Sequence, residues 1–231
     1  MKKQTVVHTP TKDLGESIDF YKRLEFEMLS EKDPTVFTDG KALVEINPIR
    51  HARAGIKMYA EDWSENLPSP DEVGKILETD DGYLLCDPNG VRVYLANGAF
   101  EVDYQAKPES FGLTGNYAGL SIEAHDIDKT AKFWAALGFV HKDGDLAQGW
   151  ASYSNGSGMD ISLMKPLMCP HLFFNPGLTY FNSGKNLTNI GKLREAGIEF
   201  AEEITQFNTD GVADNVIIRD PGGYGFFIFN D

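Results

Sequence analysis

The sequence predicts an α+β fold in two similar domains, in which a strand, a helix and three strands recur as a module. Three observations predict this fold. A helix pattern, DLGESIDFYKRLEF at residues 13–26, returns as DIDKTAKFWAALGF at residues 126–139. A hairpin pattern, LLCDPNGVRVYL at residues 84–95, returns as IIRDPGGYGFFI at residues 217–228. Short runs rich in β-branched and aromatic residues fill the intervals, as strands do.

The repeat divides the chain into two copies joined by a connector. The residues between the copies have the Gly, Pro and polar content of a connecting segment. We therefore expect a first, shortened domain over residues 1–98, a linker over residues 99–115 and a second domain over residues 116–231.

The first helix of each copy has a recognisable start. Asp13 precedes an apolar stripe formed by Leu14, Ile18 and Tyr21, which an amphipathic helix requires. Its carboxylate can accept a hydrogen bond from the first turn, and Glu16 three residues later suggests a capping box. Asp126 repeats this start in the second copy.

The other elements follow from local patterns. In each DP-x-G segment Asp accepts a local hydrogen bond, Pro fixes φ and Gly allows a positive φ, so each segment predicts a hairpin turn. Helical patterns occupy residues 68–77, weakly, and 187–197, more clearly. The predicted strands are 4–9, 26–30, 34–38, 42–47, 55–60, 82–86, 91–95, 118–124, 139–143, 148–153, 159–164, 177–181, 199–204, 214–219 and 224–229.

Composition excludes several classes of protein. The chain has 21 basic and 35 acidic residues, a net charge of −14, which argues against a nucleic-acid partner because phosphate binding depends on Lys and Arg. There is no apolar run of about 18 residues, so we expect no membrane association. Lacking a secretory signal pattern and having only two distant cysteines, the chain is expected in the cytoplasm.

The two helix patterns and the two DP-x-G hairpins together resemble the vicinal oxygen chelate superfamily, which includes glyoxalase I, bleomycin-resistance proteins and extradiol dioxygenases. The resemblance covers nearly the whole chain as two tandem glyoxalase-like domains. It implies two βαβββ modules per domain, whose curved mixed sheets enclose a cup. It also implies where a divalent metal would bind: a His on the first strand and a Glu on the last strand of each module.

The implied ligand positions are only partly filled. In the first copy, spacing from the helix places Val6 at the first position, with His8 two residues later, and Glu45 at the second. The remaining two positions carry Ile56 and Tyr94. In the second copy the four positions carry Gly119, Ser162, Leu178 and Phe227. We therefore expect no metal cofactor; the alternative is a divalent metal ion on His8 and Glu45.

Strand alternation predicts which side chains line each cup. The first cup is expected to bind a ligand through His8, Glu45, Asn47, Met58 and Tyr94. The second cup is expected to be filled by its own side chains: Ser121, Glu123, Ser162, Met164, Tyr180, Phe227 and Phe229.

Three functional hypotheses follow. The first, which the missing metal ligands favour, is a bleomycin-resistance-like protein that binds a small organic molecule without metal catalysis. The second is a metal-dependent lyase, isomerase or dioxygenase that acts on vicinal oxygens through His8 and Glu45. The third is a structural or regulatory protein with filled cups. Whether the chain is an enzyme stays open, and it is expected to be a monomer or a homodimer.

Overall fold

A computed structural model describes residues 4–231 and has two eight-stranded mixed sheets of the same topology. The first has the order β2-β3-β4-β1-β5-β8-β7-β6, and the second has the order β10-β11-β12-β9-β13-β16-β15-β14. The strands are β1 Gln4–Pro10, β2 Glu27–Ser30, β3 Thr35–Thr38, β4 Leu43–Asn47, β5 Gly55–Ala60, β6 Leu77–Thr79, β7 Gly82–Cys86, β8 Arg92–Asn97, β9 Asn116–Glu123, β10 Val140–Asp145, β11 Trp150–Ser154, β12 Asp160–Met164, β13 Gly177–Phe181, β14 Phe200–Ile204, β15 Asn215–Arg219 and β16 Gly225–Phe229. The helices are α1 Leu14–Arg23, α2 Pro70–Val73, α3 Ile127–Ala136 and α4 Asn186–Glu195. The predicted α+β class of curved mixed sheets is confirmed.

The predicted helix starts are observed with one difference. Asp13 accepts a hydrogen bond from the backbone N–H of Glu16 at 3.1 Å, and Asp126 accepts the equivalent bond from Lys129 at 2.9 Å. The Asp13 N–H bonds to the Thr11 hydroxyl at 3.2 Å, so Glu16 does not complete the expected capping box there.

The weak helix predicted over residues 68–77 shortens to one turn, α2. A capping box between Ser69 and Glu72 starts it, with Pro70 in the first turn. Gly74, at a φ of 76°, ends it four residues later, and β6 begins at Leu77. No helix within residues 4–231 is long and apolar enough to cross a membrane.

Each sheet has one face toward a shared core and one face toward a cup. Side chains alternate along a strand, so Val7 packs into the core while its neighbours Val6 and His8 face the other way. Helices α1 and α3 contribute Tyr21 and Trp134 to one apolar cluster that includes residues of both copies. The two copies therefore share a single core.

The second DP-x-G turn joins the copies through a buried carboxylate. Asp220 Oδ2 accepts hydrogen bonds from the Thr9 hydroxyl at 2.7 Å and the Tyr21 hydroxyl at 2.9 Å, both in the first copy. Its Oδ1 accepts from the backbone N–H of Tyr224 at 2.6 Å, whose hydroxyl reaches the Gly55 carbonyl at 3.1 Å.

The first DP-x-G turn makes the equivalent contact with α3. Asp87 Oδ1 accepts from the backbone N–H groups of Asn89 and Val91, both at 2.8 Å. Asn89 Nδ2 then donates to the Thr130 hydroxyl at 3.0 Å. Each turn thus packs against the first helix of the other copy.

The segment after β8 crosses the cup face of the first sheet. Phe100, Val102 and Tyr104 pack against the apolar cluster that contains Val6 and Tyr59. The Tyr104 hydroxyl bonds to the carbonyls of residues 40 and 41 at 3.0 and 2.9 Å. The connector is therefore part of the first domain's packing.

Asp39, which follows β3, is buried at the boundary between the copies. Its Oδ1 accepts from the backbone N–H groups of Lys41 at 2.8 Å and Ala42 at 2.7 Å. Burial nevertheless raises the pKa of Asp39 above its ordinary value.

This raised pKa predicts how stability depends on pH. A carboxyl with a higher pKa in the folded state contributes stability fully below its unfolded value of about 3.9, and the contribution is lost as pH rises through the folded value. Asp39→Asn removes this pH-dependent loss of unfolding free energy, because an amide does not titrate; a pKa raised by one corresponds to about 1.4 kcal/mol. The free energy of unfolding, measured in urea, should therefore decrease less between about pH 4 and pH 8 for Asp39→Asn than for the wild type. The exposed Asp210→Asn is the control, and parallel curves for Asp39→Asn and wild type would contradict the prediction.

Candidate functional site

The first cup contains a buried polar cluster on three central strands. In the parallel pairing of β1 with β4, His8 lies beside Glu45 and Pro10 beside Asn47. Tyr94 on β8 brings its ring to 4.4 Å from the His8 ring, centroid to centroid. The structure therefore brings together four of the five predicted residues, although ligand binding by them stays a prediction.

Met58 does not line the first cup, contrary to the prediction from strand alternation. It is buried in the shared core, and its neighbours Lys57 and Tyr59 face the cup instead. The same error of one residue applies to Ile56, which is also in the core, while Gly55 lies opposite His8. In GIKMYA the side chains of Lys57 and Tyr59 alternate with those of Ile56 and Met58. This alternation is the sequence signal that indicates which of them face the cup.

His8 is held as a neutral ring. Its Nδ1 lies 3.1 Å from the Arg53 carbonyl, which can only accept, so Nδ1 carries the proton. Its Nε2 lies 3.0 Å from Asn47 Nδ2, and Asn47 Oδ1 accepts from the Ile49 N–H at 2.8 Å, which fixes the amide orientation. Burial lowers the pKa of His8, in agreement with this neutral form.

Glu45 is only 2% exposed and its two oxygens are both satisfied. Lys57 Nζ donates to Oε1 at 3.1 Å, and the Tyr59 hydroxyl donates to Oε2. Burial and the neighbouring Glu45 charge raise the pKa of Tyr59, so the phenol keeps its proton. A buried carboxylate needs such partners, and here the chain supplies them itself.

The second cup has a cavity of about 180 Å³. Its floor is lined by side chains of β9, β12, β13 and β16, and its cover comes from the segment 165–175. The residues are Ala118, Gly119, Ser121, Trp150, Ser162, Met164, Cys169, His171, Phe173, Thr179, Phe181, Phe227 and Phe229. The expectation that side chains fill this cup is therefore wrong.

Aromatic rings form the walls of this cavity. The His171 ring lies 5.5 Å from Phe227 and 5.4 Å from Phe229, and Phe173 lies 4.8 Å from Phe227. The polar groups include the hydroxyls of Ser121 and Thr179, which are hydrogen-bonded to each other at 2.6 Å.

Two residues expected in the second cup lie elsewhere. Tyr180 is buried in the core, one position from the cup-facing Thr179. Glu123 is half-buried and accepts a hydrogen bond from the Leu167 N–H at 3.1 Å, which anchors the covering segment. The contribution of Cys169, His171 and Phe173 was missed, because their position depends on the path of that segment.

Solved structures with this architecture are named as a glyoxalase and as dioxygenases. The Mn(II)-bound glyoxalase from Novosphingobium aromaticivorans superposes with a TM-score of 0.55 at 17% identity, over 96% of this chain and 79% of that one. The 2,3-dioxygenase LapB from Pseudomonas sp. KL28 gives a TM-score of 0.55 at 15% identity, over 99% and 92%. No protein-family model and no curated protein matches the chain.

The chain has the glyoxalase and extradiol dioxygenase fold. This is the fold of the vicinal oxygen chelate superfamily, as the helix and hairpin patterns indicated. At these identities the likeness concerns the fold alone, so chemistry has to be argued from the residues of the two cups.

The residues present fit the metal of this fold poorly. His8 Nε2 and Glu45 Oε1 are 3.9 Å apart, but the position opposite His8 is Gly55, which has no side chain. The Lys57 ammonium group already forms an ion pair with the Glu45 oxygen that a metal ion would need as a ligand. Within residues 4–231 no three or more His, Cys, Asp or Glu side chains are grouped to hold a metal ion. A catalytic site normally has about three protein ligands.

The pairing of Lys57 with Glu45 leads to a stability prediction. Lys57→Met should destabilise the protein by about 2–3 kcal/mol, because Glu45 stays buried with its charge uncompensated. Glu45→Gln combined with Lys57→Met should recover at least half of that loss, since the charge is gone too. Urea unfolding of the single and double variants measures both effects.

The matched control is Lys107→Met, which breaks the exposed pair with Glu27. Its effect should stay within about 0.5 kcal/mol, as for other surface ion pairs. A double variant no more stable than Lys57→Met would show that Lys57 does not act by compensating Glu45.

Proposed function

We propose that this chain is a binding protein that holds a small aromatic molecule in the second cup without using a catalytic metal. The cavity enclosed by Phe173, Phe227, Phe229 and Trp150 carries this proposal. The first cup, in contrast, has its polar groups paired with one another and its apolar part covered by Phe100.

The dimensions of the cavity support a ligand of one ring. Its volume of about 180 Å³ is close to that of the engineered apolar cavity of about 150 Å³ that binds benzene. Stacked and edge-on contacts with aromatic walls add about 0.5–1.5 kcal/mol per ring pair to the burial of apolar area. Catechol, by which one neighbouring structure of TM-score 0.50 and 13% identity is named, is such a ring.

The hydroxyl groups of the cavity suggest a ring with a polar substituent. The Ser121 and Thr179 hydroxyls satisfy each other, whereas the Ser162 hydroxyl makes no hydrogen bond within the part of the chain that the structure describes. A phenolic hydroxyl on the ligand gives Ser162 a partner on one side while the ring meets Phe227 and Phe229 on the other. A phenol or catechol therefore combines the apolar and polar features of the site.

Tryptophan fluorescence tests the proposal. Trp150 lines the cavity and is 36% exposed, whereas Trp63 and Trp134 are buried in the core. Phenol or catechol should quench the fluorescence saturably with a dissociation constant of about 1 mM or tighter, a typical affinity for seven or eight heavy atoms. Trp150→Phe should remove the quenching, which assigns it to this cup.

Ser162→Phe fills the cavity and should abolish binding as measured by calorimetry. The same change at the exposed Ser64 of the first domain is the matched control and should leave binding unchanged. Binding that survives Ser162→Phe, or no saturable binding of either compound to wild type, contradicts the proposal. The second of these outcomes favours a structural or regulatory protein.

The second candidate is a metal-dependent lyase, isomerase or dioxygenase centred on His8 and Glu45. The placement of these side chains on adjacent parallel strands favours it. If the proposal is right, protein equilibrated with Mn²⁺ and then desalted should retain no stoichiometric metal by elemental analysis. A stoichiometric metal that disappears in Glu45→Gln, but not in the control Glu27→Gln, would overturn the metal-independent reading.

A further inference from the structure

A separate cavity of about 630 Å³ lies outside both cups, where the two copies meet. The end of β1, the loop between β4 and β5, and the second DP-x-G turn form its walls. The residues that matter for its chemistry are Pro10, Lys12, Ile49, Arg50, Arg53 and Pro221.

All charged residues that line this cavity are basic. Lys12, Arg50 and Arg53 converge on it in a chain whose net charge is −14. None of the ion pairs formed within residues 4–231 involves any of the three. Asp13, the acid next to Lys12 in sequence, does not line the cavity, and its carboxylate caps α1. Three cations on one concavity that form no ion pair produce a local positive potential, although Glu199 and Asp220 line the adjoining pocket beside Lys12.

The cavity is fixed by backbone contacts on two sides. The Arg53 N–H donates to the Tyr94 hydroxyl at 3.1 Å, and the Arg53 carbonyl accepts from His8. On the other side Gly222 meets Pro10 so closely that a Cβ at this position would lie 1.9 Å from the Pro10 carbonyl oxygen. A preformed shape reduces the conformational entropy that a ligand must offset.

The walls between the charges are apolar. Pro10, Pro48 and Pro221 contribute rigid rings, and the side chain of Ile49 is 62% exposed beside them. A purely inorganic anion would leave this apolar surface in water. A ligand with an apolar body and one anionic group uses both the wall and the guanidinium groups, which bind carboxylates through paired hydrogen bonds.

We propose that this junction cavity is a second binding site, and that it takes a small organic monoanion such as an aryl carboxylate. The site is independent of the aromatic site in the second cup. The basic side chains attract the anionic group of the ligand, and Ile49 and the prolines contact its apolar body. The ligand's carboxylate lies among Lys12, Arg50 and Arg53.

Isothermal titration with 2-naphthoate and its neutral amide, 2-naphthamide, tests the proposal on the whole chain. The acid should bind at least about five-fold more tightly than the amide, since each exposed charge pair is worth about 0.2–1 kcal/mol. Added salt should weaken only the acid, because it screens exposed charges. Arg50→Gln combined with Arg53→Gln should weaken naphthoate about three- to ten-fold at low salt.

Lys129→Gln combined with Lys132→Gln is the matched control, because it removes two exposed charges from α3, away from the cavity. Ser162→Phe separates the two sites: naphthoate binding should persist in it even if phenol binding is lost. Equal affinity for acid and amide, an equal effect of the lysine control, or loss of naphthoate binding in Ser162→Phe would each overturn the proposal. Unfolding curves of the arginine variant should match wild type, because both side chains are exposed.

Discussion

The buried aspartates of the two DP-x-G turns are the constraint on which the rest of the structure depends. Asp220 binds the Thr9 and Tyr21 hydroxyls, so the last hairpin of the chain is fixed to its first strand and first helix. The Phe226 ring is thereby held inside the shared core, with its centroid 6.1 Å from that of the Phe20 ring. Because the turn also brings Pro221 against the end of β1, the same contact shapes the junction cavity. One carboxylate thus links the core, the domain interface and a proposed site.

The two cups have the same strand register but opposite chemistry. His8, with neighbours Glu45 and Gly55, corresponds by strand pairing to Ser121, with neighbours Ser162 and Gly177. The polar cluster of the first copy can be buried because its members neutralise one another and the connector covers them. The second copy has only hydroxyls at these positions, so its cup can stay apolar, and the aromatic segment 165–175 covers it while leaving a cavity. The two copies therefore give one cup whose polar groups are paired within the chain and one cup that contains a cavity.

The fold was predictable from sequence because its signals are local. Asp13 and Asp126 cap helices through their own first turns, and the DP-x-G turns need only four residues. The errors are shifts of one residue along two strands: Met58 in GIKMYA and Tyr180 in GLTYF pack into the core. In GIKMYA the polar Lys57 indicates which face lies toward the cup, whereas in GLTYF the neighbours Thr179 and Tyr180 both carry a hydroxyl, so the pattern does not distinguish the two faces. The connector over the first cup and the cover over the second depend on the path of distant segments. No local pattern near His8 or Ser162 indicates which cup stays open.

Lys57 explains how the Glu45 carboxylate can remain buried in the first cup. A divalent ion brings two charges and open coordination positions, but it must be bound from solution. An ammonium attached to β5 brings one charge at a fixed place, 3.1 Å from Glu45, and it is present whenever the strand is folded. It therefore neutralises the carboxylate without offering a coordination position to a substrate. The neutral form of His8 fits the same arrangement, since burial disfavours the charged ring and the nearby Lys57 charge acts in the same direction. Under the proposed function, the first cup is a closed ion-pair cluster that fixes the sheet from which Arg53 and the junction cavity are positioned.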